Sequence, residues 1–212
     1  MLEQQLSQFG SVPVSHGDLH TLLVNFRRPN DKIAEWLRQG VLLSVRRGLY
    51  VVGAPWRNGP VGLPLVANRL HGPSCVSLDY ALAWHGLIPE RVHELTSVCV
   101  RRARTVENAL GRFSYATLPS SIYPIGIQQI NLSPQMTCLM ASPAKALCDT
   151  VLLTRLKRLT SRSAMREFLF DDLRIDETTL SNLDLTVVAQ YISANYKVSQ
   201  LQALEHILAE FQ

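Results

Sequence analysis

The sequence predicts an α+β protein, an N-terminal winged helix-turn-helix followed by a mixed α/β domain with a small antiparallel sheet and a helical C-terminal part. Three observations in the 212 residues predict it. Two amphipathic segments near the N-terminus precede two apolar runs separated by a tight turn. Residues 95–140 contain short β-prone runs divided by Gly, Pro, Asn and Ser. From Pro143 onward, apolar residues recur at helical spacing.

The first helix is predicted to begin after residue 15. Ser15 and Asp18 have the spacing of a capping box, in which the first side chain accepts a hydrogen bond from a backbone N–H of the first turn. Apolar residues then recur at one-turn intervals, which predicts a single apolar helix face. That face comprises Leu19, Leu22, Leu23 and Phe26.

A second helix is predicted over residues 30–39. Asn30 is a suitable N-cap, and Gly40 is placed to end the helix in the left-handed conformation. The side chains of Ile33, Ala34 and Leu37 are expected to face inward.

Two apolar runs follow the second helix, at residues 42–45 and 49–52. Only Arg46, Arg47 and Gly48 lie between them, so the runs are predicted to form a β-hairpin. This order of elements predicts a winged helix-turn-helix, with the second helix as recognition helix and the hairpin as wing.

A winged helix-turn-helix of this composition is expected to contact DNA. The first residues of a recognition helix approach base edges, and Asn and Arg side chains can pair with purines. Base readout is therefore expected from Asn30, Lys32 and Arg38, and backbone contact from Arg27, Arg28, Arg46 and Arg47. The last two could also enter a narrow minor groove. Asp31 and Glu35 oppose binding, because carboxylates repel phosphates.

The net charge of +4 is mild and unevenly distributed. Residues 1–60 carry +3, residues 61–120 carry +2 and residues 121–212 carry −1. DNA affinity is therefore expected to depend on a few directed phosphate contacts and on dimerisation, rather than on a broad basic surface.

The four cysteines form no C-x-x-C pair and are expected to be buried free thiols of a reducing cytoplasm. The first ten residues have no signal-peptide pattern, and no run approaches the roughly 18 apolar residues of a membrane span. A cytoplasmic protein without membrane contact is expected. His16 and His20 have metal-site spacing, but no catalytic Glu lies between them and no third ligand is evident, so no metal or cofactor is expected.

Two domains are predicted. Residues 1–55 would be the winged helix-turn-helix DNA-binding domain, residues 53–61 a linker, and residues 61–212 an α+β antitoxin and self-association domain. In the second domain helices are expected at residues 61–71 and 78–85, the latter capped by Ser77. Strands are expected at 95–101, 112–118, 125–131 and 136–140. The helical tail from about residue 143 would align Leu147, Val151, Leu152, Leu156 and Leu159, and later Leu201, Leu204, Leu208 and Phe211.

Other polar groups of the second domain have open roles. Arg101, Arg102 and Arg104 form a second basic cluster that could contact nucleic acid or a partner, or lie in a solvated loop. His85 is expected to cap a helix end. Asp79 and Glu94 precede a β-prone run as the carboxylates of some nucleases do, but no lysine follows at the usual spacing, and no catalytic residue is predicted.

With these segments in order, the chain resembles the AbiEi-type antitoxin and transcriptional-regulator family of type IV toxin–antitoxin systems. The likeness covers about residues 10–155. It lies in KIAEWLRQGVL (32–42), VRRGLYVV (45–52), SLDYALAWHGLIPE (77–90), GRFSY (111–115) and ASPAKALCD (141–149). The family's usual Pro-Glu-Lys-Ala reads Pro-Ala-Lys-Ala at residues 143–146, so any contact of that glutamate is absent.

The resemblance implies an N-terminal winged helix that represses its own promoter at inverted repeats, and a second domain that self-associates and counters a nucleotidyltransferase toxin, directly or indirectly. The implied partners are double-stranded DNA, that toxin and a second copy of the chain when DNA is bound. Two alternatives are a nuclease-like enzyme targeted by the winged helix, and a winged helix that binds protein only.

Overall fold

The computed structural model describes residues 5–57, 59–155 and 159–211, and these residues form nine α-helices and two sheets. The helices are α1 (His16–Leu22), α2 (Pro29–Arg38), α3 (Leu63–Leu70), α4 (Leu78–Trp84), α5 (Pro143–Leu153), α6 (Arg162–Glu167), α7 (Glu177–Leu180), α8 (Leu185–Ser193) and α9 (Val198–Leu208). Turns of 3-10 helix at Leu6–Phe9 and Ala54–Trp56 and a π-helical turn at Phe168–Asp172 complete the helical structure. The α+β class is therefore confirmed.

The first sheet has three strands: β1 (Val14–Ser15), β2 (Leu42–Arg46) and β3 (Leu49–Val52). All pairs are antiparallel in the order β1-β3-β2, with Val14 opposite Tyr50 and Leu42 opposite Val52. Because β1 leads directly into α1, the start of α1 lies beside the β2–β3 turn. There the His16 N–H donates to the Gly48 carbonyl at 2.9 Å.

The second sheet has six strands in the order β6-β7-β5-β4-β9-β8. They are β4 (Ser74–Val76), β5 (Leu95–Cys99), β6 (Arg104–Asn108), β7 (Gly111–Thr117), β8 (Ile127–Ser133) and β9 (Met136–Ala141). The expectation of a small antiparallel sheet is corrected in two ways. The β4–β9 and β5–β7 pairs are parallel, and β4 and β6 were not predicted. Strand β4 has only three residues, and β6 lies at an exposed edge without an apolar face.

Strand β3 is buried on both faces, and this connects the two halves of the fold. Tyr50 and Val52 belong to a small hydrophobic cluster with α1 and α2, whereas Leu49 and Val51 belong to the large cluster of the second sheet. Successive strand residues point to opposite faces, so an uninterrupted apolar run is what a doubly covered strand requires. The predicted domain boundary remains a prediction.

The N-terminal helices follow the predictions in part. The capping box is confirmed, because the Ser15 Oγ accepts from the Asp18 N–H and the Asp18 carboxylate accepts from the Ser15 N–H. Helix α1 ends at Leu22, so the prediction of Phe26 on its apolar face was wrong, and Phe26 is exposed. Its position after the helix removes it from the helical periodicity.

Helix α2 differs from its prediction at three positions. It begins at Pro29, whose lack of an N–H suits the first helical position, so Asn30 lies inside the helix and is not the N-cap. Ala34 is exposed rather than inward, and Trp36 is fully buried in its place. Gly40 ends the helix with a φ of +72°, as predicted.

The remaining helices pack on the second sheet and close its core. Helix α5 is almost entirely buried, and α8 and α9 pack against it, so the tail completes this core.

The His85 residue is the C-cap of α4, as expected. Leu156 lies outside the described residues, and α5 ends at Leu153, before the buried Leu159. In the described part of the chain, no helix has the length and apolar character needed to cross a bilayer.

Substitution of Gly53 should test the packing where β3 ends. A Cβ at Gly53 would lie 2.1 Å from the Gly40 carbonyl oxygen, a backbone atom that can move only with the α2–β2 connection. We expect Gly53→Ala to reduce the free energy of unfolding by about 1–3 kcal/mol, the usual effect of overpacking. Urea unfolding followed by circular dichroism measures it. The matched control is Gly17→Ala, whose Cβ meets only the Ser15 Oγ at 3.6 Å. Equal midpoints for both variants would contradict the expectation.

Candidate nucleic-acid interface

A cleft of about 660 Å³ lies between α2 and the β2–β3 hairpin. Its lining residues come from α1, α2 and the hairpin: His16, Asn30, Ile33, Ala34, Leu37, Arg47, Gly48 and Tyr50. The structure therefore places Asn30 and Arg47, two of the predicted contact residues, at one cavity. It adds His16 and Tyr50, which sequence reasoning did not assign to the interface.

Hydrogen bonds between side chains order the α1 side of this cleft. The His20 Nε2 lies 2.8 Å from the Asn30 Oδ1, and the His16 Nδ1 lies 3.4 Å from the Tyr50 hydroxyl. The two imidazole rings are 4.5 Å apart, measured between their centroids. The i, i+4 spacing of the histidines was visible in the sequence, but their partners on α2 and β3 were not.

The acidic residues of α2 are engaged by neighbouring polar and basic groups. Glu35 accepts hydrogen bonds from the Lys32 Nζ at 3.0 Å and from Gln39 at 3.1 Å. Asp31 lies 3.7 Å from Arg28 in an exposed pair. These contacts reduce the repulsion that the two carboxylates were expected to exert on phosphates.

The predicted base-reading residues occupy different environments. The Lys32 side chain is 20% exposed, and its Nζ lies 5.6 Å from the centroid of the Trp36 ring. Neighbouring residues of α2 therefore hold this side chain. Asn30 is exposed in the first turn of α2, and Arg38 is exposed at the other end of this helix. Asn30 is therefore the more accessible of the two side chains at the start of α2.

The four arginines expected to hold backbone phosphates are all exposed. Arg27 and Arg28 precede α2, and Arg28 is its N-cap residue. Arg46 ends β2, and its guanidinium lies 3.5 Å from the Arg69 carbonyl on α3. Arg47 follows in the turn and lines the cleft. The hairpin therefore directs one arginine toward α3 and the other toward α2.

The second basic cluster lies at the far end of an edge strand that reaches the hairpin. Arg101 and Arg102 are exposed between β5 and β6, and Arg104 begins β6. At the other end of β6, the Asn108 side chain donates to the Val45 carbonyl at 3.0 Å. Four strand residues span about 13 Å, so the cluster is separated from the hairpin by roughly that distance along β6.

Two carboxylates, Asp79 in the first turn of α4 and Glu94 immediately before β5, are those that the nuclease-like alternative would use. Burial and the nearby Glu94 raise the pKa of Asp79. Glu94 also faces the Arg112 Nε at 3.4 Å, where a nuclease site would use a metal and a lysine. Among the described residues, no group of three or more His, Cys, Asp or Glu side chains is placed to hold a metal ion.

A fully buried polar network joins α5, α8 and the start of α4. The Asp149 carboxylate accepts from Tyr191 at 2.6 Å and from Ser77 at 2.7 Å, and the Lys145 Nζ lies 3.3 Å from it. Burial raises the pKa of the Asp149 carboxyl, against the opposing effect of its three partners. Ser77 was expected to cap α4, but its hydroxyl serves this network instead.

Both charged side chains of the network are fully buried. The sequence signal that could have revealed this network is a Lys and an Asp four residues apart in a largely apolar helix. Comparison of the chain with models of known protein families and with curated proteins finds no match.

Proposed function

We propose that this chain is a DNA-binding transcriptional autorepressor and antitoxin of a type IV toxin–antitoxin system. The observation that carries the DNA-binding half is the cleft between α2 and the arginine-bearing hairpin, with Asn30 and Arg47 in its lining. In this proposal the N-terminal part is a winged helix-turn-helix. The element order β1-α1-α2-β2-β3 and the strand order β1-β3-β2 support that assignment.

In this proposal, the same elements make the DNA contacts. Helix α2 enters the major groove with its first turn, where Asn30 pairs with a base edge. The hairpin reaches the adjacent backbone or minor groove with Arg46 and Arg47. Arg27 and Arg28 hold the phosphates beside the start of α2, and a two-fold dimer repeats these contacts on an inverted repeat.

The antitoxin half depends on the resemblance to the AbiEi-type family. The segments of residues 77–149 that carry the resemblance fall on α4, β7 and α5. These elements belong to the second sheet and the helices that pack on it. The second part would self-associate and counter a nucleotidyltransferase toxin, directly or indirectly. The proposal expects a nucleotidyltransferase gene beside the gene for this chain.

The experiment that tests DNA binding is a titration of the purified protein with its own upstream DNA. A scrambled duplex of equal length and composition is the control, and both are measured at two salt concentrations. We expect tighter binding to the upstream DNA, a symmetric footprint, and affinity that falls as salt rises because phosphate contacts release counterions. Binding to neither duplex would contradict the proposal and favour a protein-binding winged helix. A stable complex with a protein partner on a sizing column would then support that alternative.

A nuclease-like enzyme is the second candidate, and the electrostatic effect of Glu94 on the Asp79 carboxyl favours it. Carboxylate oxygens are suitable ligands for Mg²⁺. Incubation of plasmid and linear DNA with the protein and Mg²⁺ or Mn²⁺ tests this candidate. Cleavage that Asp79→Asn abolishes would establish it, and intact DNA would leave the repressor as the better description.

A further inference from the structure

The two edge strands of the second sheet differ in their charge. Strand β6 carries Arg104 and Glu107, and the exposed Arg101 and Arg102 precede it. Strand β8 has the sequence IQQINLS and belongs to a segment, residues 113–144, that contains no Asp, Glu, Lys, Arg or His. Charged residues on an edge strand oppose its pairing with a strand of another molecule. The β6 edge has this protection and the β8 edge does not.

The hydrogen bonds of β9 show which backbone groups of β8 point away from the sheet. The Leu139 N–H donates to the Asn68 Oδ1 at 2.7 Å, and the Leu139 carbonyl accepts from the Asn68 Nδ2 at 3.2 Å. Leu139 therefore turns both groups toward α3 and away from Gln129, its partner on β8. Because hydrogen-bonded and non-hydrogen-bonded pairs alternate along an antiparallel ladder, Ile127, Gln129 and Asn131 direct their N–H and C=O groups outward.

These outward backbone groups are free to pair with a further strand. None of them has a hydrogen-bond partner among the residues that the structure describes. The side chains of Gln128, Gln129 and Asn131 are exposed, and the ladder with β9 stays regular as far as Asn131. A regular, accessible strand with unpaired backbone groups is a template for another strand.

We propose that β8 pairs with β8 of a second copy of this chain in an antiparallel arrangement, with the two-fold axis at Gln129. In this register the two Gln129 residues lie opposite each other, and each Ile127 lies opposite the Asn131 of the other copy. Every outward N–H then meets an outward carbonyl, since each pair of this kind exchanges two hydrogen bonds. The inference rests on the proposed function in that it gives the self-association of the second part a surface and a register.

The chemistry of β8 favours a second copy over a partner of different sequence. Complementary charges select a specific partner, and β8 offers none. Pairing of identical strands brings like residues near each other, which is unfavourable for charged residues and acceptable for uncharged ones. The exposed amides of Gln128 and Gln129 both donate and accept, so they can bond between the copies. The contact is also closed, because each copy uses its β8 edge once.

Sedimentation equilibrium of the full chain without DNA, over a range of protein concentrations, tests the pairing by measuring the dissociation constant of the dimer. Gln129→Lys should raise this constant at least about fivefold, because two unit charges about 4 Å apart oppose the contact to that extent even in water. The matched control is Thr105→Lys, which adds the same charge at an exposed position of β6 and should leave the constant unchanged.

A crosslink tests the register independently of stability. In a hydrogen-bonded antiparallel pair the two Cα atoms lie about 5.5 Å apart, so Gln129→Cys should give a covalent dimer with a short bis-maleimide. Thr105→Cys should remain monomeric on a denaturing gel after the same treatment. The four cysteines of the unmodified chain are buried and should contribute little background.

Three results would each overturn the inference: a chain that is monomeric at every concentration, a dimer that Gln129→Lys leaves intact, and crosslinking that is equally efficient in Thr105→Cys. The titration with upstream DNA decides the proposed function separately. Specific DNA binding by a chain that is monomeric when free would overturn this inference and leave the DNA-binding proposal standing. A β8-linked dimer that binds neither duplex would do the reverse.

Discussion

Asp149→Ala should destabilise the protein by about 3–5 kcal/mol, the cost of leaving a buried charge without its partner. Asp149 and Lys145 are both fully buried one helical turn apart on α5. The substitution would leave the Lys145 ammonium with the Tyr191 hydroxyl at 2.8 Å as its remaining hydrogen-bond partner. Ser77, which donates to Asp149, would lose its acceptor at the same time.

The free energy of unfolding in urea measures this effect, and a double substitution isolates its origin. Replacing both partners by apolar residues of similar size, as Lys145→Met with Asp149→Leu, should cost less than Asp149→Ala because no unpaired charge remains. A double variant less stable than the single variant would contradict this explanation. The matched control is Asp184→Ala, which removes an exposed aspartate that caps α8 and should cost about 1 kcal/mol.

Joint replacement of Arg46 and Arg47 by alanine should weaken binding to upstream and scrambled DNA alike, by at least about tenfold. Both side chains are exposed at the hairpin turn, so the weaker binding would reflect missing phosphate interactions rather than a damaged core. The slope of log affinity against log salt should become shallower by about 1 for each phosphate that the variant no longer neutralises. Fluorescence anisotropy at several salt concentrations measures both quantities.

Asn30→Ala is the informative comparison, because a base contact carries sequence preference and no charge. We expect the difference in binding free energy between upstream and scrambled DNA to fall by about 1–3 kcal/mol, with little change in the salt slope. The matched control for the hairpin is Arg162→Ala with Arg166→Ala, which removes two arginines paired with Glu210 on the tail. Equal reductions in affinity for the hairpin and tail variants would indicate a net-charge effect and contradict the assigned contacts.

Local sequence patterns predicted the elements whose signals are local. The capping box at Ser15, the left-handed Gly40 and the arginine-bearing turn each follow from interactions within a few residues. Strand β6 was missed because an exposed edge strand has no apolar face to reveal it. The three-residue β4 was missed because its pairing with β5 and β9, rather than its own length, makes it a strand.

The residues around the cleft were predicted in part, for the same reason. The hairpin arginines and Asn30 could be identified from element order, whereas His16 and Tyr50 are 34 positions apart and meet only when β1 pairs with β3. Lys32 was expected to read bases, but the neighbouring Glu35 and Trp36 hold its side chain along α2.

By itself, the sequence determined the α+β class, the start of α1 at its capping box, the end of α2 at Gly40, and a β-hairpin with two arginines at its turn. These features depend on backbone conformation and on apolar periodicity, which neighbouring residues set. Only the tertiary structure decided that Leu49 and Tyr50 serve different cores, that Trp36 rather than Ala34 is buried, and that Lys145 and Asp149 share a sealed network. Periodicity specifies which face of an element is apolar, but the long-range packing of the chain decides what covers that face.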